Sequence, residues 1–383
     1  MPAGPTQAPG TGGGGGGAGG GNPSGLDAFA ASVARPGDLL RDPLLTLLAL
    51  QVAILFLFLA AVPGVLFNKT LEEHYEEIAA GYHKFAGRFG GLGELSRDLA
   101  AFWHSSGGIV AFTVLSAIIY GFLMPGFGLS VASLAALLGL LGGLIVVMLF
   151  FDVPAREYHV IRTGDLGHLR VLPGSIIVAV VCVILSRVAD FQPGYLYGLV
   201  VGFQFRDSLS DKDEGRSAAL RSLWALGMSV VAWLALTVLS PTGSSNGSFV
   251  FLAMDTMLAT IVVAGVEGAL FELIPMRFLP GEQIFGWRRP VWAVLFVVSA
   301  FAFVAVLINP ASGYLTNTRT VPLAVTVILF VAFAVFSVAF WAYFRYRPTP
   351  PPRIVQARRV MPDPAAPKPK RVRRRKTGGE GGI

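Results

Sequence analysis

The sequence predicts an all-α, polytopic helical membrane protein with 8–9 transmembrane helices between disordered N- and C-terminal tails. Hydrophobic residues make up 54% of the 383 residues and charged residues only 14%, whereas soluble domains carry about 25% charged residues. The mean hydropathy is +0.63, and apolar runs long enough to cross a bilayer recur along the chain. These observations exclude a soluble globular enzyme and a disordered protein. They also make the lipid bilayer the first predicted partner.

Composition divides the chain into three parts. Residues 1–43 are rich in Gly, Pro and Ala and are predicted to be a disordered tail. Residues 44–347 form the predicted transmembrane domain, which includes a polar loop at 68–106. Residues 348–383 form a second disordered tail that is Pro-rich and basic, because Pro348 and the prolines after it stop the last helix.

Eight apolar stretches are predicted spans, each bounded by charges, Pro or Gly. The run 99–151 contains no Asp, Glu, Lys or Arg, and the turn-forming residues 125–128 divide it into two spans. The predicted spans are 44–67, 107–124, 129–151, 172–189, 219–239, 249–274, 291–308 and 322–344.

The segment Pro193–Phe205 decides whether there is a ninth span. It is short for a span, but Gly194, Gly198 and Gly202 place a small residue at every fourth position, which lets helices pack closely in lipid. The sequence leaves two interpretations open, a short span or a re-entrant half-helix.

The distribution of Lys and Arg predicts the orientation, because basic loops stay in the cytoplasm. From Arg345 onward there are twelve Lys or Arg and two acidic residues, so we expect a cytoplasmic C-terminus at the cell (plasma or inner) membrane. The uncharged loop Ser240–Ser248 then lies outside. With nine spans, the loop that contains Arg156, Arg162 and Arg170 lies inside and the N-terminus outside, whereas eight spans reverse both.

The C-terminal tail carries seven Lys or Arg within residues 368–376. Basic clusters beside a span gain about 1 kcal/mol per charge from anionic lipid, so anionic headgroups are a predicted partner. A signal that only stops transfer and sets the orientation is the other interpretation. The rest of the chain carries eighteen Lys or Arg against twenty-one acidic residues, which argues against a nucleic-acid-binding domain.

The polar loop 68–106 contains a predicted amphipathic helix. Thr70 and Glu73 have the spacing of a capping box, and Gly90 and Gly91 would end the helix. An apolar stripe follows from residues three or four apart, namely Leu71, Tyr75, Ile78, Tyr82, Phe85 and Phe89. We expect this helix to lie on the membrane surface or on neighbouring spans, and a membrane-protein partner is the alternative.

The candidate functional residues are charged groups inside apolar segments: Glu267, Glu272 and Arg187. A charged side chain at the centre of a membrane helix costs about 2.5–3.5 kcal/mol, so Glu267 is either functional or a polar contact between helices. The glycines at 265 and 268 leave room beside it for a neighbouring helix. Arg187 is predicted to pair with Asp190, with Glu267 as the alternative partner.

One loop resembles a zinc motif without its ligands. Residues 164–168, Gly-Asp-Leu-Gly-His, resemble the His-Glu-x-Gly-His motif of intramembrane metalloproteases, and residues 272–281 have the spacing of a second motif of that family. Catalytic zinc needs three protein ligands, and neither Gly164 nor Pro280 can supply one. Cys182 is the single cysteine. We therefore predict no catalytic, cofactor-binding or metal-binding residue and no cofactor.

The run Phe271-Glu272-Leu273-Ile274-Pro275 resembles the signature of bacterial, actinobacterial-type polytopic membrane proteins named for a Phe-Gly-Leu-Leu-Pro motif. Glu272 replaces the glycine and Ile274 replaces the second leucine. Further similar segments make the resemblance cover roughly residues 105–347. It implies an integral membrane protein of no known activity and carries over no catalytic residue.

Three classes of function follow from these patterns. A non-catalytic membrane component or scaffold is favoured, because no reactive constellation is found. The alternative is a transporter or permease that uses Glu267 in the bundle, supported by the Gly-rich segment Pro193–Phe205 and by proline-broken helices. A membrane enzyme is the third class, and a degenerate, inactive relative of intramembrane metalloproteases is a remote alternative.

Overall fold

The computed structural model describes eleven stretches of the chain. The contacts divide the chain into two units, residues 1–344 and 345–383, and of the second only 345–347 are described. The described residues are 25–41, 43–79, 102–103, 105–172, 175–188, 193–196, 201–205, 208–239, 248–277, 279–308 and 320–347.

Helices dominate the described residues, which also contain one two-stranded sheet. The helices are α1 (Ala28–Ala31), α2 (Pro36–Arg41), α3 (Pro43–Glu73), α4 (Ser106–Gly121), α5 (Val131–Phe150), α6 (Val153–Thr163), α7 (Ser175–Val188), α8 (Asp211–Leu239), α9 (Phe249–Glu272), α10 (Pro280–Trp287), α11 (Arg289–Ala302) and α12 (Thr320–Tyr346). The strands are β1 (His168–Val171) and β2 (Val201–Gln204).

The predicted helical class is confirmed, and the described residues contain six helical stretches that are long and apolar enough to cross a bilayer. The predicted number of 8–9 spans is not confirmed, because α4 and α7 are apolar but shorter. The six stretches are Pro43–Glu73, Val131–Thr163, Asp211–Leu239, Phe249–Glu272, Arg289–Leu307 and Leu323–Tyr346.

Local signals set several helix ends. The Ser105 hydroxyl accepts a hydrogen bond from Gly108 N at 3.1 Å at the start of α4, and the Ser130 hydroxyl accepts one from Ser133 N at 3.1 Å at the start of α5. Helix α6 ends at Thr163, and the next residue, Gly164, has a φ of +78°, the left-handed conformation that glycine adopts without strain.

Helix α3 is longer than predicted and corrects the capping-box prediction. It continues past Phe67 to Glu73, and the Thr70 hydroxyl donates to Leu66 O at 2.9 Å within the same helix. Thr70 is therefore an interior residue of α3 and does not begin a new helix. Thr70 and Glu73 have the spacing of a capping box, but α3 continues through both residues. The predicted amphipathic helix beyond residue 79 lies outside the described residues.

Helix α9 is the central helix of the first unit and contacts α5, α8 and α11. Its contact with α5 is closest where α5 has glycines. A Cβ on Gly143 would lie 2.6 Å from Thr260 Cβ and 2.9 Å from Met257 O, and a Cβ on Gly139 would meet Ala253 O. Small residues allow this approach, and in lipid such van der Waals packing is a main source of helix association.

The described residues between the two strands, 172, 175–188 and 193–196, belong to a stretch that leaves the sheet and returns to it, here called the re-entrant segment. Strands β1 and β2 are antiparallel, and Val171 pairs with Val201. Helix α7 therefore follows the end of β1, and the chain returns to that end of the sheet at residue 201, where β2 begins. Both interpretations of Pro193–Phe205 need correction within the described residues, because 193–196 are not helical and 201–204 are a strand.

Contacts place the loop 152–171 at the same end of the bundle as the start of α8. The Tyr158 hydroxyl donates to Asp213 Oδ1 at 2.7 Å, and Arg221 forms an ion pair with Asp152. The three arginines of that loop thus share an end of the bundle with Lys212, Arg216 and Arg221 in the first three turns of α8. This is the sidedness of the nine-span alternative, although residues 193–196 are not helical and 201–204 are a strand.

The two ends of α3 lie at opposite ends of the bundle. Ala34 N, close before α3, donates to Val306 O at 2.9 Å, and Trp233 Nε1 donates to Ala34 O. At the other end of α3, Glu72 Oε1 lies 3.7 Å from Arg277 Nη1. The start of α3 is therefore on the side opposite to the loop that follows α9.

Candidate functional site

The side chain of Glu267 is completely buried, five residues before the end of α9. Its Oε2 accepts a hydrogen bond of 2.6 Å from Leu196 N, a main-chain group of the re-entrant segment. Non-helical backbone at membrane depth is tolerated where protein groups satisfy it. The side chain of Glu267 performs that role here, 71 residues along the chain from its partner.

The second carboxyl oxygen, Glu267 Oε1, has no hydrogen-bond partner among the described residues. An unpaired buried polar atom costs free energy, and an unpaired buried charge costs much more. This oxygen is therefore the atom of the site that can still accept a proton or a hydrogen bond.

Polar contacts hold three elements together around Leu196. Tyr195 N donates to the Ser186 hydroxyl of α7 at 2.8 Å, and that hydroxyl donates to Cys182 O at 2.7 Å. The Tyr195 hydroxyl lies 2.8 Å from the Thr326 hydroxyl of α12. The backbone can turn here because Gly194 has a φ of +93°.

The two glycines beside Glu267 have different surroundings. A Cβ on Gly265 would collide with the Ser229 hydroxyl of α8 and lie 3.0 Å from the Phe151 ring, so the predicted close approach is confirmed there. Among the described residues, a Cβ on Gly268 would meet nothing within 4 Å, so the predicted room beside Glu267 is present here and no described helix fills it. Gly268 borders open space.

That space is a cavity of about 60 Å³ with an ion-pair cluster in its wall. Arg221 of α8 contacts both Asp152 and Glu272, the latter at 3.1 Å from Nη2 to Oε1. A water molecule needs about 10–15 Å³, so the cavity has room for a few waters. Leu196 and Gly268 also line it, and Glu267 does not.

The structure separates the three residues predicted from the sequence. Glu267 binds the re-entrant segment, and Glu272, one and a half turns further along α9, binds Arg221. Arg187 is exposed at the end of α7 and forms no ion pair with Glu267, and its predicted partner Asp190 lies outside the described residues.

Sequence reasoning missed Asp152 and Arg221. Both lie at the edges of predicted spans, where charged residues were interpreted as markers of a boundary. Charge complementarity is the signal that could have identified them. One arginine and two acidic residues lie at the ends of three predicted spans on the same side, where they can neutralise each other.

A third acid of α9, Asp255, belongs to the opposite end of the bundle. It is 4% exposed and lies near Arg35, in the loop between α1 and α2. Burial lowers the pKa of the Arg35 guanidinium, and the carboxylates of Asp38 and Asp255 oppose that lowering. Asp255 therefore belongs to a different set of contacts from Glu267.

The loop that resembles a zinc motif is a turn followed by a strand. Asp165 Oδ1 accepts a hydrogen bond from Gly167 N at 3.0 Å, and His168 begins β1 opposite Gln204. In the part of the chain that the structure describes, no group of three or more His, Cys, Asp or Glu could hold a metal ion.

The residues of the Phe-Gly-Leu-Leu-Pro-like signature form the end of α9 and the turn after it. Trp292 Nε1 donates to Leu273 O at 2.7 Å. Asn68 of α3 donates to Pro275 O at 2.9 Å and accepts from Arg277 N at 2.7 Å. These contacts fix the direction in which the chain leaves α9.

No known protein family, curated protein or solved structure matches the chain. The resemblance to the Phe-Gly-Leu-Leu-Pro membrane proteins therefore stays a prediction from the motif residues.

Proposed function

We propose that this multi-pass protein is a permease in which Glu267 binds a transported proton or small cation. The proposal rests on one observation, the hydrogen bond that the buried Glu267 carboxyl accepts from the main-chain N–H of Leu196 in the non-helical part of the re-entrant segment. Ion sites of many transporters lie where a membrane helix is interrupted, and intramembrane carboxyls commonly mark ion pathways. The cavity on the neighbouring turn of α9 adds support.

A non-catalytic membrane component or scaffold is the second candidate. It is favoured by the same hydrogen bond, because a carboxyl that satisfies a buried N–H group stabilises the fold whether or not it exchanges an ion. In that case the surfaces of the bundle would bind partner membrane proteins, and Glu267 would only hold the re-entrant segment in place.

Replacing Glu267 with Gln separates the two candidates. The amide oxygen of Gln still accepts from Leu196 N, so we expect an unchanged melting temperature in detergent, whereas proton or cation flux into proteoliposomes should be lost. Glu267→Leu removes the acceptor and should lower the free energy of unfolding by about 1–3 kcal/mol. The matched control is Glu157→Gln, which changes a 55%-exposed carboxyl outside the bundle and should keep full flux.

Two results would favour the scaffold. One is a wild-type protein that moves neither protons nor alkali cations across the vesicle membrane. The other is a Glu267→Gln variant that moves them at the wild-type rate.

We also propose that the C-terminus is cytoplasmic and that the protein lies in the cell (plasma or inner) membrane. The excess of Lys and Arg after Tyr343 supports this orientation, and it places the basic residues 368–376 beside the anionic leaflet. A reporter active only outside the membrane should work when inserted within 244–247 and should be silent when fused after Tyr343. The reverse pattern would contradict the orientation.

A further inference from the structure

The surroundings of Glu267 favour a proton over a metal cation. The carboxyl already accepts an N–H group, whose positive end repels a cation, and Ca²⁺ or Mg²⁺ takes about six or more oxygen ligands. The nearby hydroxyls of Tyr195 and Thr326 are hydrogen-bonded to each other. A proton needs only the one open oxygen, Oε1, and it removes the cost of a buried charge.

The ionisable groups around Glu267 leave it as the proton acceptor. Cys182 on α7 and Tyr195 in the re-entrant segment lie close enough to Glu267 to interact with it electrostatically. Both are proton donors when neutral. A charged cluster of Asp152, Arg221 and Glu272 lies at the wall of the cavity.

The cavity extends from that charged cluster to Leu196 and Gly268, which both adjoin Glu267. Arg221 and Glu272 line it together with Leu196, and the main-chain N–H of Leu196 binds the Glu267 carboxyl. Gly268, the residue after Glu267, adds no side chain to this space. Waters in a cavity with polar walls can carry a proton between such groups.

We infer that Glu267 is a proton-binding site that is loaded through the cavity from the Arg221 end of the bundle. The inference rests on the proposed function and names its substrate as the proton. On binding, a hydronium ion transfers its proton to Oε1: one O–H bond of hydronium breaks, a water molecule is left, and Glu267 becomes a neutral carboxylic acid.

Infrared spectroscopy of the full chain in lipid nanodiscs tests the binding site. A protonated carboxyl has its own C=O band, which shifts in D₂O, and we expect Glu267→Gln to remove one such band while Glu157→Gln leaves it. Saturating sodium, potassium or calcium should not change the band. A spectrum that Glu267→Gln does not alter, or a band that any of these cations removes, overturns the inference.

The route is tested by the rate at which this band shifts after transfer to D₂O. Gly268→Leu fills the open space, so exchange should slow on the order of tenfold, because it then waits for local opening of the bundle. Gly227→Leu makes the same change at an exposed glycine of α8 and should leave the rate unchanged. If Gly268→Leu fails to fold, Gly268→Ala replaces it. Exchange at the wild-type rate in the folded variant refutes the route.

These readouts do not depend on flux. If the Glu267 band is present but no flux is measured, the permease proposal is wrong and the proton-binding site is supported. If cations are transported but the band is absent, the proton-binding site is wrong and the permease proposal is supported.

Discussion

Replacing Arg221 with Ala is expected to lower the free energy of unfolding by about 3 kcal/mol, near the lower end of the range for breaking a buried ion pair. The variant leaves Asp152 and Glu272 beside each other without their shared cation. Their side chains are 11% and 26% exposed, so water compensates only in part. The measurement is the melting temperature in mild detergent together with the abundance of the protein in membranes.

A matched arginine of the same helix provides the control. Arg216 pairs with Asp213 at the surface and is 49% exposed, so Arg216→Ala should cost well under about 1 kcal/mol. Adding Asp152→Asn and Glu272→Gln to Arg221→Ala should restore most of the stability, because no buried charge then lacks a partner. If Arg221→Ala melts like Arg216→Ala, the cluster does not stabilise the fold.

Replacing Gly143 with Ala is expected to destabilise the bundle by about 1–3 kcal/mol, the usual cost of overpacking. The new methyl group would lie 2.9 Å from Met257 O, a main-chain atom of α9 that cannot move without shifting that helix. This cost opposes the gain of up to about 1 kcal/mol that Ala brings over Gly in a helix. Thermal unfolding in detergent measures the difference.

The neighbouring residue Gly142 provides the matched control for Gly143→Ala. There the nearest atom to an added Cβ is Met257 Sδ at 3.1 Å, at the flexible part of a side chain. Gly142→Ala should therefore be neutral or stabilising, because it keeps the gain in helix propensity without the collision. Equal melting temperatures for the two variants would show that α5 and α9 are not held by close packing at Gly143.

The sequence alone identified one half of the candidate site. Glu267 stands out because an ionisable residue inside an apolar run is rare and costly. Its partner is a main-chain N–H group, and every residue except proline has one, so no residue type marks Leu196. Gly265 and Gly268 look alike in the sequence and both line the cavity, yet an added Cβ would collide with Ser229 of α8 only at Gly265.

Composition and apolar run length determined that this is a helical membrane protein, because lipid offers no hydrogen bonds and each span must satisfy its own backbone. Each span meets that requirement within its own residues, so it can be recognised from the local sequence. The pairing of Val171 with Val201, the return of the chain beside β1, and the meeting of Arg221 with Asp152 and Glu272 were decided by the tertiary structure. Each of these joins segments that are far apart in sequence, and the free energy of such contacts depends on which segments meet and not on any local pattern.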